Sequence, residues 1–351
     1  MSGESLLTEA IVRIFGDHYT SERLQAAKAA GWSEPLWRAL EETGMTLVSV
    51  PEEHGGGGEF DEAIEALRLA GKHCAAVPFA ETALLGGWAL AQARMAIPEG
   101  PLAFVVAPHA GELSVAQAQG RWKIEGVLRD VAWARMAAAL VVVAPHEAGA
   151  VVARIPRAQY DVRPAENLAH EARDEVTLAA ELPADAVGSC GAVTTERAWR
   201  RGALTRAVLT SGALDRILEL TLAYVRQRSQ FGRTLIQFQA VQQELARLAG
   251  EAAIAKAAAL AAAAHIDDPD AELYVAAAKV KAGEAAYSGA SIAHQLHGAI
   301  GVTDEYLLHH STLRLWSWRT EYGTEAQWAQ RLGAQALQAG SRGLWARITS
   351  H

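Results

Sequence analysis

Two segments of this chain bring cations, side-chain amides, an aromatic ring and glycine together at spacings that could hold a phosphorylated ligand. The first reads Arg226-Gln227-Arg228-Ser229-Gln230-Phe231-Gly232-Arg233, followed by Leu235, Phe238 and Gln239. An Arg at a corner between two helices, next to helix N-terminal amides, can clamp a pyrophosphate while Phe packs on a ring. The same cations can instead complement the dipole at a helix C-terminus. The second, His294-Gln295-Leu296-His297-Gly298-Ala299-Ile300-Gly301, places two glycines directly after a helical run. Backbone can approach a ligand closely there, or the glycines can simply cap the helix. Farther on, Tyr322-Gly323-Thr324 reads as a turn that launches the last long helix.

Other chemistries lack their residues. The run Gly55 to Gly58 has no trailing Lys-Ser/Thr to reach phosphates and magnesium, so it reads as a turn. No strand followed by GxGxxG opens a helix, and no GxSxG elbow is present. His294 and His297 are spaced HxxH and His309-His310 are adjacent, but no carboxylate or thiol stands at a zinc-enzyme spacing. No metal site is expected. Cys74 and Cys190 form no CxxC pattern, which fits a reducing cytoplasm.

The elements that must position these segments follow from composition and periodicity. The 351 residues are 50% hydrophobic and 21% charged, enough to bury a large core. A formal charge of −8 without any basic block argues against nucleic acid or an anionic membrane as partner. The N-terminus has no basic n-region with an unbroken apolar stretch after it, and Ala257 to Ala264 is far too short to span a bilayer. A soluble, cytoplasmic protein is expected. Residues 1–98 show helical spacing broken by the glycine run, and residues 99–190 turn to short β-rich runs such as Leu102 to Val106 and Leu140 to Val143. Residues 191–351 return to long helical segments, with Leu214, Ile217, Leu218, Leu222 and Val225 on one stripe and Asp270 at a helix start. The fold class is mainly α with a β-barrel or sandwich domain in the middle of the sequence and a C-terminal helical bundle.

Taken together these segments resemble the acyl-CoA dehydrogenase family, flavoproteins that oxidise an acyl-CoA thioester to the 2,3-enoyl-CoA. The likeness covers nearly the whole chain. It runs from Trp37 through Pro51-Glu52-Glu53-His54-Gly55-Gly56 to Pro78-Phe79-Ala80-Glu81-Thr82 with Leu84-Leu85. Its most specific parts are Arg228-Ser229-Gln230-Phe231-Gly232 with Phe238-Gln239 and Gln242, then Gln295 to Gly301, Thr303, Glu305, Tyr306 and Arg314. The resemblance implies a helical domain, a β domain and a four-helix bundle, FAD as cofactor, an acyl-CoA substrate and an electron-transfer flavoprotein as electron acceptor. It also implies that Arg228, Phe231, Leu235, Gln239, Gln295 and Gly298 reach a neighbouring subunit's FAD, while Trp133 and Thr324 belong to the chain's own flavin pocket. Trp133 can equally be core. Ala299 replaces the family's second glycine.

The family's base is a Glu directly before Gly-Thr, and here that place holds Tyr322. A phenol, with a reference pKa near 10, is a far poorer base than a tuned carboxylate. The family's alternative position, on an earlier helix, falls on Gly202. Glu321 is adjacent and is the remaining candidate base, with Glu325 behind it; either acid can instead serve a helix start. The stretch Val105 to Leu113 lacks the polar residues with which family members cradle their own flavin, and Arg135 stands where a hydroxyl would follow Trp133. Residues that would reach a neighbour's FAD are kept, and those for the chain's own flavin and base are lost. That combination resembles the partner subunit of a heterotetrameric enzyme acting on sterol or bile-acid side-chain CoA thioesters, paired as α2β2 with a related catalytic chain. A self-sufficient homo-oligomer using Glu321 and a flavin-free structural subunit are the alternatives.

Overall fold

The structure, a computed structural model, describes residues 6–109, 111–147 and 149–349. Met1 to Ser5 and Ala110, which belong to the N-terminal and Val105–Leu113 readings, lie outside the described residues. The chain divides into two compact units, Met1–Thr205 and Arg206–His351.

The first unit begins with helices α1 (Leu6–His18), α2 (Ser21–Ala30), α3 (Glu34–Glu42), α4 (Phe60–Lys72) and α5 (Gly87–Gln92), the last preceded by a π-helical turn over Ala80–Gly86. Thr20 caps α2 by accepting from the Arg23 amide, and Glu59 and Glu62 form a reciprocal capping box on α4. The glycine run is a tight return, with Gly55 and Gly57 at φ of +90° and +118° and no room for a Cβ on Gly56 beside the Val50 carbonyl.

Among the described residues eight strands follow: β1 (Leu102–Val106), β2 (Leu113–Ala118), β3 (Arg121–Ala132), β4 (Ala139–His146), β5 (Gly149–Pro156), β6 (Tyr160–Arg163), β7 (Arg173–Pro183) and β8 (Val187–Gly188). They form two four-stranded sheets ordered β1-β4-β5-β8 and β2-β3-β7-β6, and among the described residues only β1 and β4 pair in parallel. Alternate residues of both sheets, among them Val105, Leu140, Val142, Ile124, Leu128, Val176 and Leu178, share one apolar core. The β domain is therefore a sandwich. Leu102 is fixed to the π-helical turn through its amide, which donates to Thr82 Oγ1 at 3.0 Å. β3 is bulged between Leu128 and Val131, and beyond it Trp133 adopts φ +63°.

Helix α6 (Thr195–Gln227) is followed by a two-stranded ribbon, β9 (Ser229–Gln230) with β10 (Arg233–Thr234). The second unit then holds α7 (Gln239–Ala264), α8 (Ala271–His297), α9 (Leu308–Trp318) and α10 (Glu325–Thr349). Small residues let α7 and α8 pack closely: Ala252, Ala255, Ala259 and Ala262 on one, Ala278, Ala282, Ala285 and Ala286 on the other, are all buried. At Gly289 three helices converge, since a Cβ there would lie 2.8 Å from Leu214 and 3.3 Å from both Ile217 and Leu248. Leu214, Ile217 and Val225 of the expected stripe are buried, whereas Leu218 and Leu222 are half-buried. Asp270 occupies the N-cap of α8 but its carboxylate makes no capping bond; its backbone carbonyl accepts from Leu273 instead. No described helix is long and apolar enough to cross a membrane.

Candidate functional site

The Arg228 segment is not a simple helix end. Ser229-Gln230 and Arg233-Thr234 pair antiparallel, and the two turn residues, Phe231 and Gly232, have φ of +53° and +78°. Two central residues at positive φ define the hairpin turn whose twist suits its strands, a turn usually signalled by Asn-Gly. Phe231 meets that geometry at a cost and is 93% exposed, with its ring 6.4 Å from Phe238 and edge-on to it. Arg233 lies 4.0 Å over the Phe238 ring. Backbone bonds hold the base of the hairpin: Arg228 N–H donates to the Tyr224 carbonyl at 2.8 Å, and the Arg228 carbonyl accepts from Leu235 at 2.9 Å. The Arg228 side chain is exposed and has no ion-pair partner among the described residues. Leu235 is half-buried at the start of a short 3-10 turn, and Gln239 is exposed as the first residue of α7.

Left-handed backbone costs a residue with a side chain about 1–2 kcal/mol, against a smaller entropic penalty for glycine. Phe231→Gly is therefore expected to raise the stability of the isolated chain by roughly 0.5–1 kcal/mol. The urea midpoint checks this, and a lower midpoint would mean that the exposed ring is a structural contact.

Gln295 and Gly298 close α8, and both are exposed. Gly298 has φ +65° and ψ −146°, a conformation that needs glycine even though a Cβ would meet nothing within 4 Å. The two histidines of the HxxH spacing are built into the protein. His297 Nδ1 donates to the Ala293 carbonyl at 2.8 Å, its Nε2 accepts from the Tyr306 hydroxyl at 3.2 Å, and its ring stacks on Tyr224. His294 Nε2 lies 2.9 Å from Thr312 Oγ1. Burial lowers the pKa of both rings, with His309 adding to the effect at His294. Among the described residues no group of three or more His, Cys, Asp or Glu could hold a metal ion.

The turn between α9 and α10 carries the remaining candidates. Tyr322 and Gly323 have φ of +54° and +100°. Thr324 caps α10 reciprocally, its amide donating to Gln327 Oε1 at 2.9 Å and its Oγ1 accepting from the Gln327 amide at 3.3 Å. Trp328, fully buried, donates from Nε1 to the Tyr322 carbonyl at 2.9 Å. Glu321 is neither an open carboxylate nor a helix cap: Arg206 Nε of α6 donates to its Oε2 at 2.6 Å, with side-chain exposures of 3% for Arg206 and 17% for Glu321. Arg206 also lies over the Tyr322 ring at 5.2 Å. Glu325 accepts from Arg319 Nε at 2.6 Å and is pressed against Gly283 of α8, where a Cβ would collide with it. Gly283→Ala should therefore displace Glu325 and cost about 1–3 kcal/mol. An unchanged thermal midpoint would contradict the close seat.

In the first unit Trp133 is 3% exposed and enclosed by Ala27, Ala76, Ala132 and Ala172, with Arg173 5.7 Å over its ring. Arg135 donates its amide to Asp174 Oδ2 at 2.9 Å, and Asp174 is fully buried. Gly202 lies inside α6.

Two buried cations of this region, Arg206 and Lys279, belong to none of the motifs described above. Both sit inside apolar helical stripes, beside Leu204 and Ala207 and beside Ala276 and Ala282. A single cation within such a stripe is the signal that could have found them.

The donors in the hairpin segment suit a dinucleotide: a cation without a partner among the described residues, an exposed ring and exposed amide side chains. Comparison with known proteins agrees with the elements. Residues 191–337 match the family described as "Acyl-CoA dehydrogenase, C-terminal domain". The chain is 28% identical to the acyl-CoA dehydrogenase IpdE2 of Mycobacterium tuberculosis over 87% of this chain and 88% of that one. It is 29% identical to the acyl-CoA dehydrogenase FadE27 of the same organism, over 78% and 80%. Among solved structures, the ChsE4-ChsE5 complex from Mycobacterium tuberculosis superposes with a TM-score of 0.85 at 24% identity, covering 94% of this chain and 95% of that one. The Tcur3481-Tcur3483 steroid ACAD superposes with a TM-score of 0.83 at 26% identity, covering 95% and 97%.

Proposed function

We propose that this chain, whose residues 191–337 match the acyl-CoA dehydrogenase C-terminal domain, belongs to the acyl-CoA dehydrogenase family as a subunit of a FAD-dependent enzyme which lacks its own base and lends its hairpin to a catalytic partner chain. One observation carries the reading. At the turn where the family places its base stands Tyr322, and the neighbouring acid Glu321 is already bonded to the buried Arg206. A base must be free to take the α-proton of a thioester, and a carboxylate held by a buried guanidinium is stabilised in its ionised form and is a weak proton acceptor.

Arg228 would hold the pyrophosphate of the partner's FAD, Phe231 would pack on its ring system, and Leu235, Gln239, Gln295 and Gly298 would complete the contact. FAD, when bound, supplies the hydride acceptor for 2,3-desaturation. A strained, exposed Phe231 supports this, because a folded chain that presents an aromatic ring on left-handed backbone has that ring available for a ligand. The enclosed Trp133 and the bonded Arg135 fit the loss of the chain's own flavin pocket. Similarity to a steroid ACAD named for two chains supports an α2β2 assembly and a steroid side-chain CoA thioester as substrate. Electrons would pass to an electron-transfer flavoprotein, in the cytoplasm.

Co-expression with a related chain that carries the Glu-Gly-Thr motif tests this. The expected result is a complex of two chains of each kind that turns over acyl-CoA thioesters, with no turnover by this chain alone. A homotetramer of this chain that is active by itself would overturn the proposal.

A further inference from the structure

Lys279 stands on the buried face of α8, 3% exposed, and no role described so far uses it. Its Nζ donates to three carbonyls: Trp318 at 3.3 Å, Arg319 at 3.1 Å and Glu321 at 2.8 Å. Trp318 ends α9, so the three carbonyls lie at the C-terminus of that helix and in the first residues of the turn, where intrahelical donors run out. An ammonium has three N–H donors, one for each carbonyl. A neutral amine has two, so loss of the proton removes one of the three bonds by which Lys279 holds these carbonyls.

The charges around Lys279 are engaged with one another. Arg206 of α6 is bonded to Glu321 of the turn, and Arg319 of the turn to Glu325 of α10. Lys279 is thus held by backbone oxygens rather than by a carboxylate. Glu325, seated against Gly283 on the same helix, ties α10 to this cluster.

We propose that Lys279 is a positioning residue that sets the Glu321–Thr324 turn through its protonation state, holding the observed arrangement as an ammonium and releasing one carbonyl as an amine. The change falls near neutrality. Burial pulls the Lys279 pKa down to about 7; Glu321 and Glu325 oppose this, while Arg206 and Arg319 add to it. Trp328, bonded to the Tyr322 carbonyl, is the natural reporter of the turn.

The chain has six lysines, which makes direct observation feasible. Full-length chain labelled with ε-13C-lysine and 5-fluorotryptophan would be titrated by NMR from pH 5.5 to 9.5, with the Trp328 signal assigned through Trp328→Phe. One lysine resonance is expected to titrate between about pH 6 and 8 and to vanish in Lys279→Met. The Trp328 fluorine signal should move with the same midpoint and stay flat in Lys279→Met and in Lys279→Arg. The two variants separate a change at Lys279 from one at any histidine. The unfolded chain keeps Lys279 charged up to about pH 10.4, so it binds one more proton than the native state between about pH 7 and 10. Stability of the native protein relative to Lys279→Met therefore rises with pH across that window. A Lys279 that stays charged through pH 9.5, or a Trp328 signal that does not follow it, overturns the proposal. Should either variant fail to fold, the wild-type titrations alone decide.

Discussion

Glu321→Gln is expected to cost about 3 kcal/mol of stability while leaving turnover of the assembled enzyme within about twofold. The reason is the environment of Arg206. Its side chain is 3% exposed and its Nε bonds Glu321 at 2.6 Å, so Gln removes the opposite charge to which this buried guanidinium is bonded. Breaking one partner of a buried ion pair is among the larger single-residue effects on stability, because the other charge keeps its desolvation penalty without compensation. A catalytic carboxylate behaves in the opposite way. Its amide variant commonly folds well and loses about a thousandfold or more in rate. Chemical denaturation and steady-state turnover on the same preparation separate the two. Normal stability with a thousandfold loss of rate would make Glu321 the base and return the chain to the self-sufficient class.

Arg228→Ala should weaken flavin retention by the assembled enzyme by roughly 10- to 100-fold, the equivalent of losing a charge-assisted hydrogen bond worth about 1.5–3 kcal/mol. Stability of the isolated chain should change by less than about 0.5 kcal/mol, since the Arg228 side chain is exposed and only its backbone groups hold the hairpin. The pairing of a large effect on flavin with almost none on folding is what distinguishes a ligand clamp from a cation that serves the C-terminus of α6. Flavin released on dilution or gel filtration, compared with the denaturation midpoint, reads both. Unchanged flavin content in Arg228→Ala would favour a flavin-free structural subunit.

Much of this architecture is legible in residue patterns. The shift from helical spacing to β-rich runs and back predicts the observed order of elements, and runs such as Leu102–Val106 and Leu140–Val143 fall within strands. The hairpin at Phe231 is less accessible to such reading, because its turn has Phe where the two-residue hairpin signal has Asn or Asp. That departure from local preference coincides with a candidate ligand contact, where such conflicts are expected to collect. The charge cluster is the least legible part. Arg206 meets Glu321 across 115 positions and Lys279 meets the Glu321 carbonyl across 42, separations that no helical or strand period encodes. Local spacing leaves Glu321 open as a base or a cap. A buried cation from a distant helix decides its environment.

The flavin-to-chain ratio tests the central claim most directly, measured from the visible spectrum and native mass of this chain purified alone and again after co-expression with a related base-bearing subunit. The account predicts little or no flavin on the isolated chain and about one FAD per two chains in the assembled enzyme. About one FAD per chain in a homotetramer of this protein alone would contradict it.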